Sequence, residues 1–321
     1  MILTLKQRPD FFPSVLKLAS NSFGYDSLHK IEIDFYPLFQ EENWEHCFIL
    51  LDETENLVAH LGLKIRQMIV GDKIFPIALL GGIAVDEQQR GHGHFRTLFS
   101  EIIKRFEQQV TFFILWSDKD ALYEKFDFFQ VGEVFEAIPR EQGKTKYPSS
   151  TLEVLSLSQL EAQYHSAYET RYACIKRDKE DWLSLQKITS AELLHGKDEY
   201  AIRGKGMDLQ NIIYEWHNND WLKTCALDGK TKIWFPTSPD KDFKILRKLF
   251  LGLVKIGNTE LFQNFFHAIF KRQLNLVIQA TSCKIKEHGQ KDYSMQAILE
   301  MTFSNSSPNK WPIYVSGLDS I

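Results

Sequence analysis

Leu79-Leu80-Gly81-Gly82-Ile83-Ala84-Val85, followed by Asp86-Glu87-Gln88-Gln89-Arg90-Gly91-His92-Gly93-His94 and then Phe95, is the stretch that decides the fold. Residues 79–85 carry no polar side chain, the pattern of a strand covered on both faces and therefore central in its sheet. Glycine weakens such a strand unless something must come close to the backbone there. Residues 86–94 are a polar loop. From Phe95 onward apolar side chains recur at Leu98, Phe99, Ile102, Ile103 and Phe106, steps of three and four that define one face of a helix. Arg96, Glu101, Lys104 and Arg105 fall on the other face. Gly91 and Gly93 allow torsions and close approaches that other residues do not. The loop empties onto a helix N-terminus, whose unpaired N–H groups and dipole favour an anion, and Arg90 adds a fixed positive charge. The unit suits a phosphate or pyrophosphate. A P-loop is excluded because His94 and Phe95, rather than Lys and Ser or Thr, follow Gly93. A dinucleotide fingerprint is excluded because Arg96 stands where a third small residue is required.

The flanking sequence supplies the rest of a domain. Val15, Leu16, Ala19 and Phe23 mark one face of a helix over 12–23. Strands are expected over 46–51 and 57–70, and Gly71-Asp72 reads as a hairpin loop whose return strand is 73–85. Beyond the helix, residues 111–116 (TFFILW) are expected as another fully buried strand, 120–126 as a short helix and 130–138 as a closing strand. The polar stretch 139–150, with two prolines and a glycine, is the expected linker. After it the element order recurs loosely: a helical pattern over 160–185, then strands over 200–203, 209–216 and 232–235. Two helical faces follow, one at Leu246, Leu249, Phe250, Leu253 and Val254, the other at Leu261, Phe262, Phe265, Phe266 and Ile269. Strands over 276–284 and 295–303 complete the reading. Gly204-Lys205-Gly206 lies between two strands with no helix after it and reads as a turn rather than a phosphate loop. The expected architecture is α/β (α+β): two tandem domains, 1–138 and 151–321, each a mixed, mostly antiparallel sheet flanked by helices.

Gln88-x-x-Gly91-x-Gly93, preceded by the Gly-Gly-Ile-Ala-Val strand and followed by an amphipathic helix, resembles the coenzyme A pyrophosphate loop of the GCN5-related N-acetyltransferases. The segment from Leu115 to Phe129, LWSDKDALYEKFDFF, resembles the strand, helix and Tyr-x-x-Phe-Gly-Phe element of the same family, with Asp127 in place of the usual glycine. The resemblance covers roughly residues 1–138. The wording of the second segment is similar to the enhanced-intracellular-survival type of acetyltransferase, which has a second, degenerate acetyltransferase-like domain. That type's sterol-carrier-like domain is expected to be absent.

The resemblance implies transfer of acetyl from acetyl-CoA to a primary amine by direct attack on the thioester. The backbone of Ile83, Ala84 and Val85 would pair with the pantetheine arm and face the developing oxyanion. Glycines 81 and 82 would permit the accompanying bulge. Backbone N–H groups over Arg90, Gly91, His92, Gly93, His94 and Phe95 would hold the pyrophosphate. Tyr123 would be the general acid that protonates the leaving thiolate; its alternative is a half-buried packing aromatic. No residue identifies itself as the base, with Asp118, Glu32 and Asp34 as candidates only. His92 and His94 lack a third ligand nearby and read as loop positions, so no metal is expected. The second half lacks the Gln-x-x-Gly-x-Gly pattern and is expected to bind no coenzyme, walling the acceptor cleft or mediating subunit contacts; Trp182, Trp216, Trp221 and Trp234 read as packing residues. The alternatives are a tandem aminoacyl or acyl transferase and a non-catalytic acyl-CoA-binding protein.

Composition agrees with a soluble globular chain. The 321 residues include 44% hydrophobic and 25% charged side chains, with a net charge of -4, a balance that argues against a nucleic-acid partner. The acceptor would be an amine of a small molecule, a peptide or a protein lysine, and homo-oligomerisation is left open. Four cysteines, Cys47, Cys174, Cys225 and Cys283, have no close spacing, which excludes a zinc ribbon or CxxC motif. The N-terminal segment has no secretory pattern, and no apolar run approaches the roughly 20 residues of a membrane span. A reducing cytoplasm is the expected compartment.

Overall fold

The computed structural model describes residues 1–227, 229–270, 275–279, 282–286, 290–305 and 310–321. In chain order the first strands are β1 (Ile2–Thr4), β2 (Cys47–Leu51), β3 (Leu57–Val70), β4 (Lys73–Val85), β5 (Phe112–Leu115), β6 (Phe129–Val131) and β7 (Val134–Pro139). Those that follow are β8 (Ser149–Ser150), β9 (Cys174–Lys176), β10 (Glu192–His195), β11 (Tyr200–Arg203), β12 (Ile212–Trp216), β13 (Lys232–Phe235), β14 (Phe243–Leu249) and β15 (Gly252–Ile256). The helices are α1 (Phe12–Phe23), α2 (Ile31–Asp34), α3 (Tyr36–Phe39), α4 (His94–Phe106), α5 (Asp120–Tyr123), α6 (Leu157–Tyr164), α7 (Lys179–Leu185), α8 (Asn219–Thr224), α9 (Thr259–Ile269) and α10 (Met295–Phe303).

Two large mixed sheets carry the fold. The first runs β1-β2-β3-β4-β5-β15-β6, with β9 added to β3, and the second β14-β7-β13-β12-β11-β10-β8. In each, one pair is parallel and the rest antiparallel: β4 with β5 in the first, β12 with β13 in the second. Each parallel pair is joined by a crossover helix, α4 or α8, as parallel neighbours require. The looser repetition expected from the element order is thus present as one strand–helix–strand unit at the centre of each sheet.

Alternation along β4 explains what covers the first sheet. Ala78 and Leu80 face α4, whose Leu98, Phe99, Ile102, Ile103 and Phe106 form a continuous buried stripe. Ile77 and Leu79 face the opposite layer with α1 and the α9 residues Phe262, Phe265, Phe266 and Ile269. That second layer holds residues from Leu5 to Ile321, so one core binds both halves of the sequence. Trp182, Trp216 and Trp221 are buried within the second-sheet clusters, and Trp234 packs against them.

Several sequence-based expectations are corrected. The helical face expected at Leu246 to Val254 is two strands, β14 and β15: the first is an exposed edge, so its apolar spacing reflects no buried helical stripe. The strand expected over 295–303 is helix α10, started by Ser294, whose hydroxyl accepts from the Ala297 N–H at 3.1 Å. The single helix expected over 160–185 is α6 and α7 with β9 between them, where Ile175 enters the core opposite Met68. The strand expected over 276–284 corresponds to two antiparallel strands, β16 (Asn275–Gln279) and β17 (Ser282–Lys286), paired in turn with β18 (Gln290–Tyr293); residues 280 and 281 lie outside the described residues. The division at 138 and 151 does not follow the sheets. Strand β7, from the expected first domain, pairs with β13 and β14 in the second sheet. Strand β15, from the expected second domain, fills the gap between β5 and β6 in the first.

Candidate active site

The loop between β4 and α4 is built as its sequence demands. The Asp86 carboxylate accepts from the Gln88 N–H at 2.9 Å and turns the chain out of the strand. Gly91 and Gly93 hold φ of +86° and +84°, a region that only glycine enters without strain. A Cβ at either would meet nothing within 4 Å, so the glycines answer a backbone need and leave open space beside the loop. Gly93 is the N-cap of the 13-residue α4 and offers no side-chain acceptor. The first N–H groups of α4 are therefore uncapped and available to a ligand. A cavity of about 240 Å³ opens here, lined by Val85, Arg90, Gly91, Gly93, His94 and Phe95 together with Arg96 and Lys125. Its charged lining residues are all cations, Arg90, Arg96 and Lys125.

Arg96 and Lys125 are the residues the sequence reading missed here. Arg96 is exposed, as its place on the outer face of α4 predicts, and from the first turn of the helix it also lines the cavity. His92 is not in the lining; its ring nitrogen Nδ1 lies 3.3 Å from the Gln89 carbonyl. Ile83 and Ala84 lie upstream on β4, outside this cavity. Among the described residues no group of three or more His, Cys, Asp or Glu gathers as for a metal ion.

At the other end of the cavity, Glu124 to Phe128 keep the expected turn despite Asp127. Asp127 takes φ +63°, the left-handed conformation that Asp tolerates better than most residues. The Phe128 N–H then donates to the Tyr123 carbonyl at 3.2 Å, and Lys255 pairs with Asp127 at 3.1 Å. Tyr123 is 6% exposed, edge-on to Phe95 at 5.7 Å and tilted against Phe99 at 5.6 Å. Burial pushes its hydroxyl up to about 12, with the Asp118 charge acting in the same direction and a hydrogen bond with Ser117 against it.

The middle of β4 opens differently. Pairing with β5 is limited to Ala78 with Phe113 and Leu79 with Ile114, so beyond Leu79 the two strands part. On the β3 side, Gly62 pairs with Gly81 and His60 with Ala84. Gly82 and Ile83 therefore face the single residue Leu61, which is a β-bulge. Gly82 has φ +59°. A Cβ on Gly81 would collide with the carbonyl carbon and oxygen of Ile321. The final described segment, 316–321, thus lies across the central strand, and this is the close approach that its glycine allows.

That segment is held by a buried ion network between the two halves. Arg177 donates to both oxygens of Glu215 at 2.9 and 2.7 Å and to Asp319 at 2.7 Å, and all three side chains are fully buried. Arg66, from β3, bridges Asp319 at 3.2 Å and Asp181 at 2.5 Å. Ser316 donates to Glu215 at 2.5 Å. Lys205 donates to the Gly317 carbonyl at 3.0 Å and to the Ser320 carbonyl. Lys205 in the expected turn thus has a structural task that the sequence did not signal.

The three candidate bases do not gather. Asp118 is exposed and Glu32 half-buried. Asp34 is buried against Gly206 and accepts from the Tyr25 hydroxyl at 2.8 Å.

Residues 6–131 match the sequence profile of the acetyltransferase (GNAT) domain. Among curated proteins none matches the chain by sequence. Three solved structures show the same fold over most of this chain. A GCN5-related N-acetyltransferase from Anabaena variabilis is 15% identical, covering 92% of this chain and 85% of its own, with a TM-score of 0.60. Eis1 from Mycobacterium abscessus is 12% identical, with coverages of 92% and 85% and a TM-score of 0.58. A GCN5-related N-acetyltransferase from Kribbella flavida is 12% identical, with coverages of 88% and 75% and a TM-score of 0.59. The profile match on the segment that holds β4, its loop and α4, with this likeness of fold, identifies residues 6–131 as an acyltransferase domain of the GNAT type.

Proposed function

We propose that the chain transfers an acetyl group from acetyl-CoA to a primary amine, with one coenzyme site, at the β4–α4 loop. The single observation that carries this reading is the cavity whose charged lining is all cationic, at an uncapped helix N-terminus and at the end of the β4 stretch that has no β5 partner. A pyrophosphate fits the uncapped N–H groups and Arg90, Arg96 and Lys125. The pantetheine arm would then run along Val85, Ala84 and Ile83 as a substitute for the missing β5 partner.

Chemistry follows from the parts in place. Attack of a neutral amine on the thioester carbonyl gives a tetrahedral oxyanion, which the backbone N–H groups of the bulge would meet. The nitrogen sheds its extra proton to solvent, and collapse of the intermediate re-forms the carbonyl, breaks the C–S bond and expels the thiolate. Tyr123 supports the role of acid through its place, edge-on to Phe95 of the cavity lining and next to the lining residue Leu122, with a hydroxyl that is protonated at neutral pH; after donation, the hydroxyl is restored from solvent. The main-chain oxygen of Ile321 against Gly81 offers an acceptor for an amine hydrogen at this strand. Transfer to an amine of a small molecule, a peptide or a protein lysine is equally compatible with these parts.

The second crossover supports a single coenzyme site. Asn218 caps α8 with its own side chain, accepting from the Asp220 and Trp221 N–H groups at 2.8 and 3.4 Å. The six-residue helix thus has two of its first N–H groups already satisfied. The test is thiol release from acetyl-CoA across a panel of amines, with Tyr123→Phe beside the wild type. The variant should lose about 100-fold in kcat, the lower end of the range of about 10²–10⁴ ascribed to general acid–base catalysis, while coenzyme affinity holds. Unchanged kcat would make Tyr123 a packing residue, and no thiol release from any amine would favour a coenzyme-binding protein without chemistry.

A further inference from the structure

His60 stands on β3 beside the β4 bulge, and the fold treats its two nitrogens very differently. Nδ1 lies 2.7 Å from the Gly82 carbonyl oxygen. A carbonyl only accepts, so Nδ1 carries the proton and Nε2 the lone pair. Nε2 is buried and has no hydrogen-bond partner. The ring is fully buried, stacked on Phe39 at 5.8 Å. A Cβ on Gly82 would come within 3.2 Å of both the His60 ring and Leu38, so ring and bulge are fitted to each other. Burial drives His60 down to about 4, which keeps the imidazole neutral and the assignment of its single proton fixed.

A leucine would fill the same space without orphaning a nitrogen. The imidazole is explained by the bond it makes with Gly82. Across a trans peptide the C=O of one residue and the N–H of the next point in opposite directions. Drawing the Gly82 carbonyl toward the His60 ring therefore turns the Ile83 N–H away from that ring, on a stretch of β4 that has no β5 partner. Glycine at φ +59° could readily let this peptide flip. His60 removes that freedom.

We infer that His60 is a positioning residue, whose Nδ1–H fixes the Gly82–Ile83 peptide so that the Ile83 N–H faces the thioester oxygen on which charge develops. The inference rests on the coenzyme reading above and adds to it the group that orients the oxyanion donor. Nε2, sealed from solvent, takes no proton from the substrate; the ring acts through Nδ1 alone.

The test compares His60→Leu with His60→Asn, whose amide can still donate. His60→Leu should lower kcat about 100-fold, the lower end of the loss of about 10²–10³ for a missing oxyanion donor, with the coenzyme A Kd within twofold of wild type. His60→Asn should recover at least a tenth of the lost rate. A His60→Leu enzyme within threefold of wild-type kcat overturns the inference. A second readout does not depend on turnover. Acetyl-CoA should shift the Ile83 amide resonance of the wild type in ¹⁵N–¹H spectra. If Gly91 and Phe95 amides shift but Ile83 does not, the coenzyme site stands and the role of His60 falls. If none shifts, the coenzyme reading itself falls, and the inference with it. Should His60→Leu fail to fold, the ¹⁵N imidazole spectrum of the wild type at pH 7 decides: Nδ1 protonated and Nε2 bare is the expected state, and either the reverse tautomer or an imidazolium overturns it.

Discussion

Replacing Asp319 by Ala should loosen the 316–321 segment from β4 and leave the coenzyme cavity intact. Asp319 is fully buried and receives Arg177 at 2.7 Å and Arg66 at 3.2 Å. Without it, Arg177 keeps Glu215 and the faces of Tyr164 and Trp182, at 4.0 and 4.6 Å, while Arg66 keeps Asp181. The carboxylate removed is the one shared by both guanidinium groups. Breaking a buried pair in this way costs about 3–5 kcal/mol, here because guanidinium N–H groups of Arg177 and Arg66 lose their acceptor in a dry interior. At about 2–4 °C per kcal/mol for a chain of more than 150 residues, melting should fall by roughly 6–20 °C. The cations of the cavity lie on another layer, so the Kd for coenzyme A should stay within twofold while thiol release drops. Calorimetric melting, coenzyme titration and turnover on the same preparation provide the assay. A melting point within 2 °C of wild type would refute the claim that this network holds the segment. A lost coenzyme affinity would refute the claim that cavity and clamp are separate.

Two further outcomes follow from the central strand. Gly81→Ala puts a methyl group into the Ile321 carbonyl; overpacking of this kind costs about 1–3 kcal/mol, and urea unfolding should show that loss with coenzyme affinity unchanged. His60 gives the fold an acid limit. Unfolded, its ring takes up a proton near 6.5; folded, only near 4. The unfolded chain therefore binds the extra proton in this range, and stability should fall by about 3 kcal/mol as pH drops from 6.5 to 4. In His60→Asn the decline of stability over that range, followed by urea unfolding, should be smaller by this amount.

What could be read from the sequence was what is local. The run from Leu79 to Phe106 encodes strand, loop and helix in consecutive residues, and the helix face at Leu98, Phe99, Ile102, Ile103 and Phe106 is buried as its spacing predicts. The turn after Tyr123 was legible for the same reason, and Asp127 preserved it by taking the torsion of the glycine it replaces. Strand β15 was not legible, because what makes Gly252 to Ile256 a strand is pairing with β5 and β6, more than a hundred residues earlier. The helix-like spacing from Leu246 to Val254 competed with that signal, and tertiary pairing won. Met295 to Phe303 did carry a signal that was passed over, a serine at position 294 ahead of good helix formers. At the site, Arg96 and Lys125 enter through helix geometry, and His60 and Ile321 through contacts of long sequence separation, so spacing alone identifies none of the four.

The central claim is a single anion-binding coenzyme site at the β4–α4 loop, and titration calorimetry of the chain with acetyl-CoA tests it most directly, run beside Gly91→Asp and Gly91→Asn. Space beside Gly91 is open, and Asn tolerates its left-handed torsion, so the two variants differ in charge alone. The account predicts one site per chain, retained in weakened form by Gly91→Asn. In Gly91→Asp a carboxylate about 5 Å from the pyrophosphate should cost a further 1–3 kcal/mol, roughly fivefold to 150-fold in Kd. No binding by the wild type, or equal affinity in the Asp and Asn variants, would contradict it.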